Sequence, residues 1–193
     1  VFSRLRQRGV KTLCHLHSVI TSSDHMPCGQ AYEMLGYEHS IDGVIVISQK
    51  LHRWCRAWGG PEDKLVHVPN GPSFSASDAL IQTVLEERCD RSPARPLNVL
   101  YLGRFDWEKG MDRLLAICDR SKKESLPLNW RIVGARVCGQ EGLSSRDLAT
   151  IQPLIHPPVM NATGLSRLYA WADVVIMVSR FEGVPLTILE AQQ

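Results

Sequence analysis

Short apolar runs alternate with amphipathic stretches along most of this chain. Val44–Ile47 and Val174–Val178 contain only apolar residues and are rich in β-branched side chains. Such runs are typical of strands that are buried on both faces of a parallel sheet. Glu108–Lys123, by contrast, repeats its apolar residues at helical spacing, with Leu114 and Cys118 on the inward face. The alternation of these two patterns predicts an α/β fold.

Turn and capping residues divide the remaining sequence into further elements. Strands are also predicted at Lys11–His17, Leu65–Val68, Leu97–Leu102, Trp130–Val133 and Ile151–Ile155. Helices are also predicted before Gly9, within Asp24–His39, from the Ser48 cap to Trp58, at Ser75–Cys89 and Gly164–Trp171, and from Pro185 onward. The pattern loosens between Pro69 and Pro96, where turn residues and the Ser92–Pro96 connector occur. We therefore expect residues 70–96 to be an interdomain linker.

The bulk composition narrows the class of protein without identifying it. Of 193 residues, 44% are hydrophobic and 22% are charged, which is typical of globular proteins and argues against disorder and coiled coils. Lys and Arg number 22 and Asp and Glu 20, so the net charge of +2 gives no electrostatic case for nucleic acid. Because the chain starts at Val1 and its last residues resemble the inside of a helix, we expect a fragment.

Cysteine usage and apolar run length bear on the compartment. The six cysteines include no CxxC pair and several lie in apolar stretches, which favours free thiols, a reducing compartment and a cytoplasmic protein. No apolar run approaches the ~18 residues that a transmembrane helix needs. Basic residues near the start, including Arg4 and Arg8, leave open a peripheral membrane contact, although a solvated helix face explains them better.

The first candidate site is the loop after the predicted strand Leu97–Leu102. Arg104 leaves the end of this strand, and Lys109 falls in the first turn of the next predicted helix. A Lys there opposes the helix dipole at a cost of a few tenths to about 1 kcal/mol, and a bound anion would offset that cost. The Arg fork and the Lys point charge together suit a diphosphate. The alternative is that Lys109 only pairs with Glu108 or Asp106 at the surface.

The second candidate site surrounds two glutamates near the end of the chain. Glu182 and Glu190 are separated by seven residues, and Gly183 permits close approach of a ligand to the backbone. The N–H groups of Leu186 and Thr187 would point at an anion bound at the start of the last helix. Carboxylates beside such a site can accept hydrogen bonds from sugar hydroxyls. The alternative is an ordinary acidic helix start followed by a solvated glutamate.

Two histidines close the first predicted strand of the chain. Strand alternation places His15 and His17 on the same face. A metal site would need a further His or a carboxylate nearby, and the local sequence supplies none. We therefore predict no metal site, and a structural role is the simpler interpretation of each histidine alone.

Taken together, these motifs resemble glycosyltransferase family 4. The resemblance rests on Leu102-Gly103-Arg104, then Glu108-Lys109-Gly110, then two glutamates spaced by seven residues in Ser-Arg-Phe-Glu-Gly-Val-Pro-Leu. Further similar segments are Asp42–Ser48, Val68–Gly71 and Tyr169–Asp173. The resemblance extends from about His15 to the end of the chain, and the paired motifs occur in the family's order and separation.

The resemblance implies a GT-B fold, which consists of two Rossmann-like domains. Both would be incomplete here. Residues 1–69 would be the C-terminal part of the first, acceptor-side domain, and 97–193 a nucleotide-sugar-binding domain that is truncated at its C-terminal end. The first domain's opening strands with their glycine-rich loop, and the final helix of the second domain, would be missing. No cofactor is implied, because the family's chemistry needs no obligatory metal.

The resemblance also assigns roles to the residues of the motifs. Arg104 and Lys109 would hold the diphosphate and stabilise the departing nucleotide. Glu182 would contact hydroxyls of the donor sugar, supported by the backbone after Gly183, and Glu190 would bind the ribose hydroxyls. These assignments make Arg104, Lys109 and Glu182 the expected catalytic set.

Three further positions are carried over from the same family. Gly134 and the loop His156–Met160 would lie near the base, and His17 would lie near the reacting sugar or the acceptor. One departure concerns the glutamate loop, which reads Glu-Gly-Val-Pro-Leu where many members have Gly-Phe-Gly after the glutamate. The resemblance therefore specifies the backbone contacts of this loop less closely than the roles of its side chains.

The predicted activity is transfer of a sugar, with retention, from a UDP-, GDP- or ADP-sugar to an unidentified sugar, lipid or small-molecule acceptor. Two alternatives stay open: a GT-B-type nucleotide-sugar epimerase and a non-catalytic subunit that binds sugar nucleotides. An oxidoreductase that uses a dinucleotide is disfavoured, because no G-x-G-x-x-G motif follows a strand. By itself, a fragment with the donor motifs is expected to be inactive.

Overall fold

The computed structural model describes residues 2–21, 26–89, 92, 95–136 and 144–193. Contacts divide the chain into two compact units. The first unit comprises Val1–Gly71 and Phe181–Pro185, and the second comprises Pro72–Arg180 and Leu186–Gln193. Asp24, Cys138 and two residues of the predicted Ser92–Pro96 connector lie outside the described residues.

Within its described residues, the first unit contains a parallel sheet and three helices. Its strands are β1 (Leu13–Leu16), β2 (Ile20–Thr21), β3 (Pro27–Cys28), β4 (Gly43–Val46) and β5 (Leu65–His67). Its helices are α1 (Phe2–Gln7), α2 (Gln30–Gly36) and α3 (Gln49–Ala57), with short 3₁₀ turns at Glu38–Ser40 and Glu62–Lys64. The parallel sheet has the order β1-β4-β5, while β2 and β3 form a separate antiparallel pair.

The sequence pattern of the first unit produces its core directly. Val44 and Val46 on β4 are fully buried, as the wholly apolar run predicts for a central parallel strand. Ser48 caps α3 by accepting a hydrogen bond from the backbone N–H of Leu51 at 3.2 Å. Leu51 and Cys55 then bring the inward face of α3 onto the same core.

The second unit is built around a longer parallel sheet. Its strands are β6 (Leu97–Leu102), β7 (Leu128–Val133), β8 (Ile155–His156) and β9 (Val174–Val175). Its helices are α4 (Asp78–Cys89), α5 (Met111–Lys123), α6 (Ser145–Ile151), α7 (Ala162–Trp171) and α8 (Leu186–Ala191), with a 3₁₀ turn at Gln152–Leu154. Apolar clusters cover both faces of the sheet, one around Tyr101 and Ile132 and the other around Leu100 and Val133.

The strand order of the second unit identifies where a ligand would bind. The order is β8-β7-β6-β9, so the chain builds the sheet outward in one direction and then returns to the other side of β6. All pairings are parallel, with Leu100 opposite Val175 between β6 and β9. This is the order of a Rossmann half-sheet, whose ligands bind at the carboxyl ends of the strands where the direction reverses. That reversal lies between β6 and β9.

Helix α5 begins later than its amphipathic pattern predicts. The expected helix starts at Glu108, whereas the observed one starts at Met111. Gly110 has a left-handed backbone, with φ of 69°, and caps the helix, so residues before it form a turn. The prediction that Lys109 lies in the first helical turn is therefore wrong, and the argument from the helix dipole does not apply to it.

Other boundaries shift for identifiable reasons. The predicted strand Ile151–Ile155 is wrong for most of its length, because α6 ends at Ile151 and a 3₁₀ turn containing Pro153 follows before β8. The last helix starts at Leu186, one residue after Pro185. The strand predicted at Val174–Val178 is paired only at its start, since β9 borders β6 alone.

Two findings concern the whole described chain. No described helix has both the length and the apolar character that crossing a bilayer requires. Three of the described cysteines, Cys14, Cys55 and Cys118, are free thiols. Burial raises the pKa of the Cys55 and Cys118 thiols to about 11.

Candidate functional site

The loop after β6 is fixed from beneath by the strand itself. Tyr101 is buried, and its hydroxyl donates a hydrogen bond to the backbone oxygen of Arg104 at 2.9 Å. The same hydroxyl lies 3.5 Å from the backbone oxygen of Lys109. One phenol on the sheet therefore reaches the backbone of both basic residues that the sequence singled out.

Asp106 is a buried carboxylate that organises this loop from within. Its side chain is 3% exposed, and its Oδ2 lies 3.0 Å from Nε of Arg104. Its Oδ1 accepts a hydrogen bond from the backbone N–H of Lys109 at 2.9 Å. Glu108 pairs with the far end of the Arg104 guanidinium at 2.8 Å. Both carboxylates considered in the sequence as partners of Lys109 thus form ion pairs with Arg104.

Gly134 lies against the same loop. The N–H of Gly103 donates to the Val133 carbonyl at 3.1 Å, and the N–H of Phe105 donates to Ala135 at 3.0 Å. A Cβ on Gly134 would overlap the Gly103 carbonyl oxygen, and φ of 153° disfavours any other residue there. The ends of β6 and β7 therefore meet at this glycine.

The predicted base-side loop also reaches Gly134. The backbone N–H of Gly134 donates to the carbonyl oxygen of His156 at 3.3 Å. His156 closes β8, the strand next to β7, and starts the loop His156–Met160. The structure thus brings together the two features that the resemblance associates with the base.

Arg180 ties the loop after β9 to the loop after β6. Its guanidinium makes two hydrogen bonds of 2.7 Å to the carboxylate of Asp112, and it stacks over the Trp107 ring with 4.4 Å to the centroid. Its backbone N–H donates to the carbonyl oxygen of Glu108 at 2.8 Å. The Arg180 hydrogen bonds lower the pKa of Asp112 to about 2. Arg180 is not among the predicted site residues, and its position inside the glutamate motif is its only signal in the sequence.

Glu190 is buried in the second unit, and the alternative of a solvated glutamate is wrong. The residue is 7% exposed. Its Oε2 accepts a hydrogen bond from the Tyr169 hydroxyl at 2.7 Å, and its Oε1 accepts one from Ser73. Leu186 and Thr187 are the first two residues of the same short helix, α8. Tyr169 belongs to a segment on which the family resemblance rests, but no role is predicted for its side chain from the sequence.

Burial is the main influence on the pKa of Tyr169. It raises the pKa of the phenol far above its usual value, and the hydrogen bond to Glu190 raises it further. A hydrogen bond with the Thr187 side chain has the opposite, smaller effect. The phenol therefore stays protonated and donates a hydrogen bond to Glu190. Thr187 and Glu190, three residues apart on α8, both contact this hydroxyl.

The remaining predicted residues belong to the first unit. A Cβ on Gly183 would overlap the carbonyl oxygen of His17, so the two backbones are in close contact. Asn70 donates a side-chain hydrogen bond to the carbonyl oxygen of Val184 at 3.3 Å. Glu182 precedes these residues and is partly buried. The structure thus brings His17 and the glutamate loop together in this unit, through a glycine that tolerates no side chain.

The described residues contain no group of three or more His, Cys, Asp and Glu side chains that could hold a metal ion. His15 and His17 have ring centroids 4.1 Å apart. The predicted strand Lys11–His17 is shorter than expected, because β1 ends at Leu16 and His17 lies beyond it. That the reaction requires no metal ion stays a prediction.

Comparison with known protein families identifies the second unit. Residues 96–193 match the family model described as "Glycosyl transferases group 1". This match covers half of the chain, and the chain belongs to that family. No curated protein sequence matches the chain significantly.

Solved structures share the fold at low sequence identity. A S. aureus TarM mutant in complex with Fondaparinux, alpha-GlcNAc-glycerol and UDP has a TM-score of 0.69 and 13% identity, covering 94% of this chain and 35% of that one. The pneumococcal O-GlcNAc transferase GtfA in complex with UDP and GlcNAc has a TM-score of 0.68 and 19% identity, covering 99% and 37%. Anabaena Alr3699/HepE in complex with UDP and glucose has a TM-score of 0.65 and 18% identity, covering 98% and 52%.

These similarities confirm the predicted fold class. The two α/β units with parallel sheets are part of the GT-B fold of glycosyltransferases. The chain spans between about a third and about half of the length of these three structures.

Proposed function

We propose that this chain is part of a retaining glycosyltransferase of family 4 that transfers a sugar from a nucleotide-diphosphate sugar. Membership of the group 1 glycosyltransferases supports the reaction class. The observation that carries the site is the strand order of the second unit, in which β9 borders β6. The basic loop follows β6, and the chain that leads to Glu182 follows β9, so both leave the sheet where Rossmann ligands bind.

The basic loop supplies the electrostatic part of the mechanism. Arg104 and Lys109 hold the diphosphate of the donor and stabilise the negative charge that develops on the departing nucleotide. Asp106 fixes Nε of the guanidinium and the backbone of Lys109, so the Arg104 cation and the backbone that carries the Lys109 side chain are held in place before the donor arrives. Charges fixed in advance need no reorganisation during the reaction, which makes them effective in a transition state.

The carboxylates and glycines orient the donor. Glu182 accepts hydrogen bonds from hydroxyls of the donor sugar, and Glu190 accepts them from the ribose. Gly183 and the N–H groups of Leu186 and Thr187 support the sugar and phosphate through the backbone.

The loop around Gly134 contacts the base, and His17 lies near the reacting sugar or the acceptor. The acceptor attacks the sugar from the face that the diphosphate leaves, which retains the configuration, and the phosphate takes the acceptor's proton. No metal is required in this scheme, because Arg104 and Lys109 neutralise the diphosphate.

A binding screen tests the donor class. The complete protein in which this chain occurs is titrated by calorimetry with UDP, GDP and ADP, and with the corresponding nucleotide sugars. Binding of one nucleotide, and release of that nucleotide from its sugar in the presence of candidate acceptors, is the expected result. If none of the nucleotides binds, the proposed function is wrong. Binding without turnover across a panel of sugar, lipid and small-molecule acceptors would instead favour the non-catalytic subunit.

Substitutions in the basic loop test the assigned mechanism. Arg104→Ala and Lys109→Ala are each expected to lower kcat/KM by about 10²–10³-fold, because each removes charge from the departing diphosphate. Arg120→Ala on α5 is the matched control, since Arg120 is exposed and pairs only with Glu124 among the described residues. Turnover of both loop variants at the level of Arg120→Ala would contradict the assignment.

A further inference from the structure

The Glu190 carboxylate accepts its hydrogen bonds from neutral side chains. The carboxylate is 7% exposed, and its two partners among the described residues are the hydroxyls of Tyr169 and Ser73. A buried carboxylate is normally paired with a cation, because burying an isolated charge costs several kcal/mol. Neutral donors leave the negative charge in place. Hydrogen bonds from further hydroxyls to such a charged acceptor are stronger than those between neutral groups.

The two donors divide the carboxylate evenly. Tyr169 donates to Oε2 and Ser73 donates to Oε1. A carboxylate offers about four lone-pair positions, two on each oxygen. One protein hydroxyl on each oxygen therefore leaves one position on each for a ligand. Two vicinal hydroxyls, such as those of a ribose, match that arrangement.

Tyr169 is held in one position and one protonation state. It lies near the end of α7, and its ring packs against Phe74 with 6.0 Å between the centroids. Burial raises the pKa of its phenol, so it acts as a donor and never as a competing anion. The rotamer of Glu190 is thus set by a rigid aromatic side chain on a neighbouring helix.

Gln193 holds the backbone next to Ser73 in place. The side chain of Gln193 donates to the carbonyl oxygen of Phe74 at 2.7 Å and accepts from the N–H of Ala76 at 3.1 Å. These bonds fasten the backbone next to Ser73 to the segment that follows α8. The backbone that carries Ser73, the second donor, is therefore held in place as well.

We propose that Tyr169 and Ser73 are positioning residues that orient the Glu190 carboxylate toward the two ribose hydroxyls of the nucleotide. This inference rests on the proposed function, since it specifies how that function's nucleotide is recognised. The acceptor is Glu190, and Tyr169 and Ser73 act through it without touching the ribose. Loss of either donor lets the carboxylate rotate, and the cost appears only when the ligand has ribose hydroxyls.

The test compares a ribonucleotide with its dideoxy form. Whichever of UDP, GDP and ADP binds the complete protein most tightly is titrated beside its 2′,3′-dideoxy analogue, into wild type, Tyr169→Phe and Ser73→Ala. Wild type is expected to prefer the ribonucleotide by about tenfold or more, as for hydrogen bonds to a charged group. Tyr169→Phe is expected to remove most of this preference while changing the affinity for the dideoxy analogue less than twofold.

Two further variants separate positioning from structure. Tyr32→Phe removes the hydroxyl of an exposed tyrosine on α2 and is expected to keep the full preference. Ser73→Ala changes an exposed residue and removes the other donor, so it carries the same test should Tyr169→Phe fail to fold. Glu190→Gln is expected to remove the preference altogether.

The possible results distinguish a failure of this inference from a failure of the proposed function. Equal weakening of both nucleotides in Tyr169→Phe and Ser73→Ala would overturn the inference, because it would show a merely structural role. A wild-type preference that both variants retain would overturn it too. If wild type binds a nucleotide in either of these cases, the proposed function stands. If wild type binds none of the three nucleotides, the proposed function and the inference are both wrong.

Discussion

Asp106 shows how one buried side chain prepares a cationic loop. Its two oxygens contact Nε of Arg104 and the backbone N–H of Lys109, so a single carboxylate holds the guanidinium of one basic residue and the backbone of the other. The Arg104 side chain is 39% exposed and can meet a ligand, while Asp106 is buried beneath it. Glu108 is the more exposed partner of the guanidinium. A bound diphosphate would therefore compete with Glu108, whereas Asp106 would keep its place.

The backbone at Gly110 lies so close to Val178 that there is no room for a Cβ atom. Its φ is 69°, and a Cβ would overlap the carbonyl oxygen of Val178. Gly59 has a similar φ of 77° but open space around it, so Gly59→Ala carries only the strain of the left-handed backbone. We predict a loss of about 1–2 kcal/mol in the free energy of unfolding for Gly59→Ala. Gly110→Ala should lose at least ~1 kcal/mol more, because overpacking adds to that strain.

Urea unfolding of the two alanine variants measures this difference. Equal destabilisation by both would show that the approach of Val178 to Gly110 costs nothing, and would remove this contact as the reason for glycine in the loop.

At the level of elements, the site depends on how two strand ends are tied together. Arg180 leaves the loop after β9 and binds Asp112 on α5, Trp107 in the basic loop and, through its backbone, Glu108. Arg113 adds a hydrogen bond of 3.2 Å to the carbonyl oxygen of Val178. These contacts join the first turn of α5 to the loop after β9. The basic loop is therefore anchored on both sides, by its own strand and by the neighbouring one.

The Asp112–Arg180 pair predicts a pH dependence of stability. The pKa of Asp112 is lowered to about 2, chiefly by the Arg180 hydrogen bonds, whereas the unfolded chain has an Asp pKa near ~4. The native carboxyl thus releases its proton more readily, and its contribution to stability is full above pH ~4 and lost as the pH falls toward ~2. Asp112→Asn should lower the thermal midpoint at pH 6, and the difference from wild type should shrink toward pH 2.

Asp119→Asn is the matched control on the same helix, because Asp119 pairs with Lys123 at an exposed position. Its effect should be small, as for exposed ion pairs generally. A deficit of Asp112→Asn that stays constant from pH 6 to pH 2 would show that the ion pair does not supply the stability.

At the level of the whole molecule, each unit has its own apolar core. One cluster, containing Val44 and Val46, belongs to the first unit, and two clusters cover the faces of the sheet in the second. Leu114 on α5 is fully buried in one of these, whereas Ile117 on the same helix is 37% exposed. The second unit, which carries the basic loop, is thus stabilised by packing on both sides of β6.

We predict that Leu114→Ala lowers the free energy of unfolding by about 2–5 kcal/mol, because it leaves a cavity in a closely packed core. Ile117→Ala removes a side chain of similar size from the surface and should cost well below half as much. Chemical denaturation of both variants measures the two values. Similar losses in the two variants would mean that the cluster around Leu114 does not carry the stability of this unit.

The sequence by itself determined the central strands and the chemistry of the loops that follow them. Wholly apolar β-branched runs predicted β4 and the start of β9, and Leu97–Leu102 was predicted with its observed bounds. These signals are local, because burial on both faces leaves its mark in a few consecutive residues. The family resemblance added the order of the motifs, which stays a prediction, and the GT-B fold, which the structural similarities confirm. The roles of the motif residues are still predictions.

Only the tertiary structure decided which loops meet and which groups pair. The order β8-β7-β6-β9 places β9 beside β6, although β7, β8 and the helices between them separate the two strands in the sequence. The same long-range packing gives Glu190 its two hydroxyl donors. The fold of the basic loop pairs Arg104 with Asp106 and Glu108. Periodicity records only whether a residue is buried. Which partner it meets depends on strand order and helix placement, and the chain as a whole sets these.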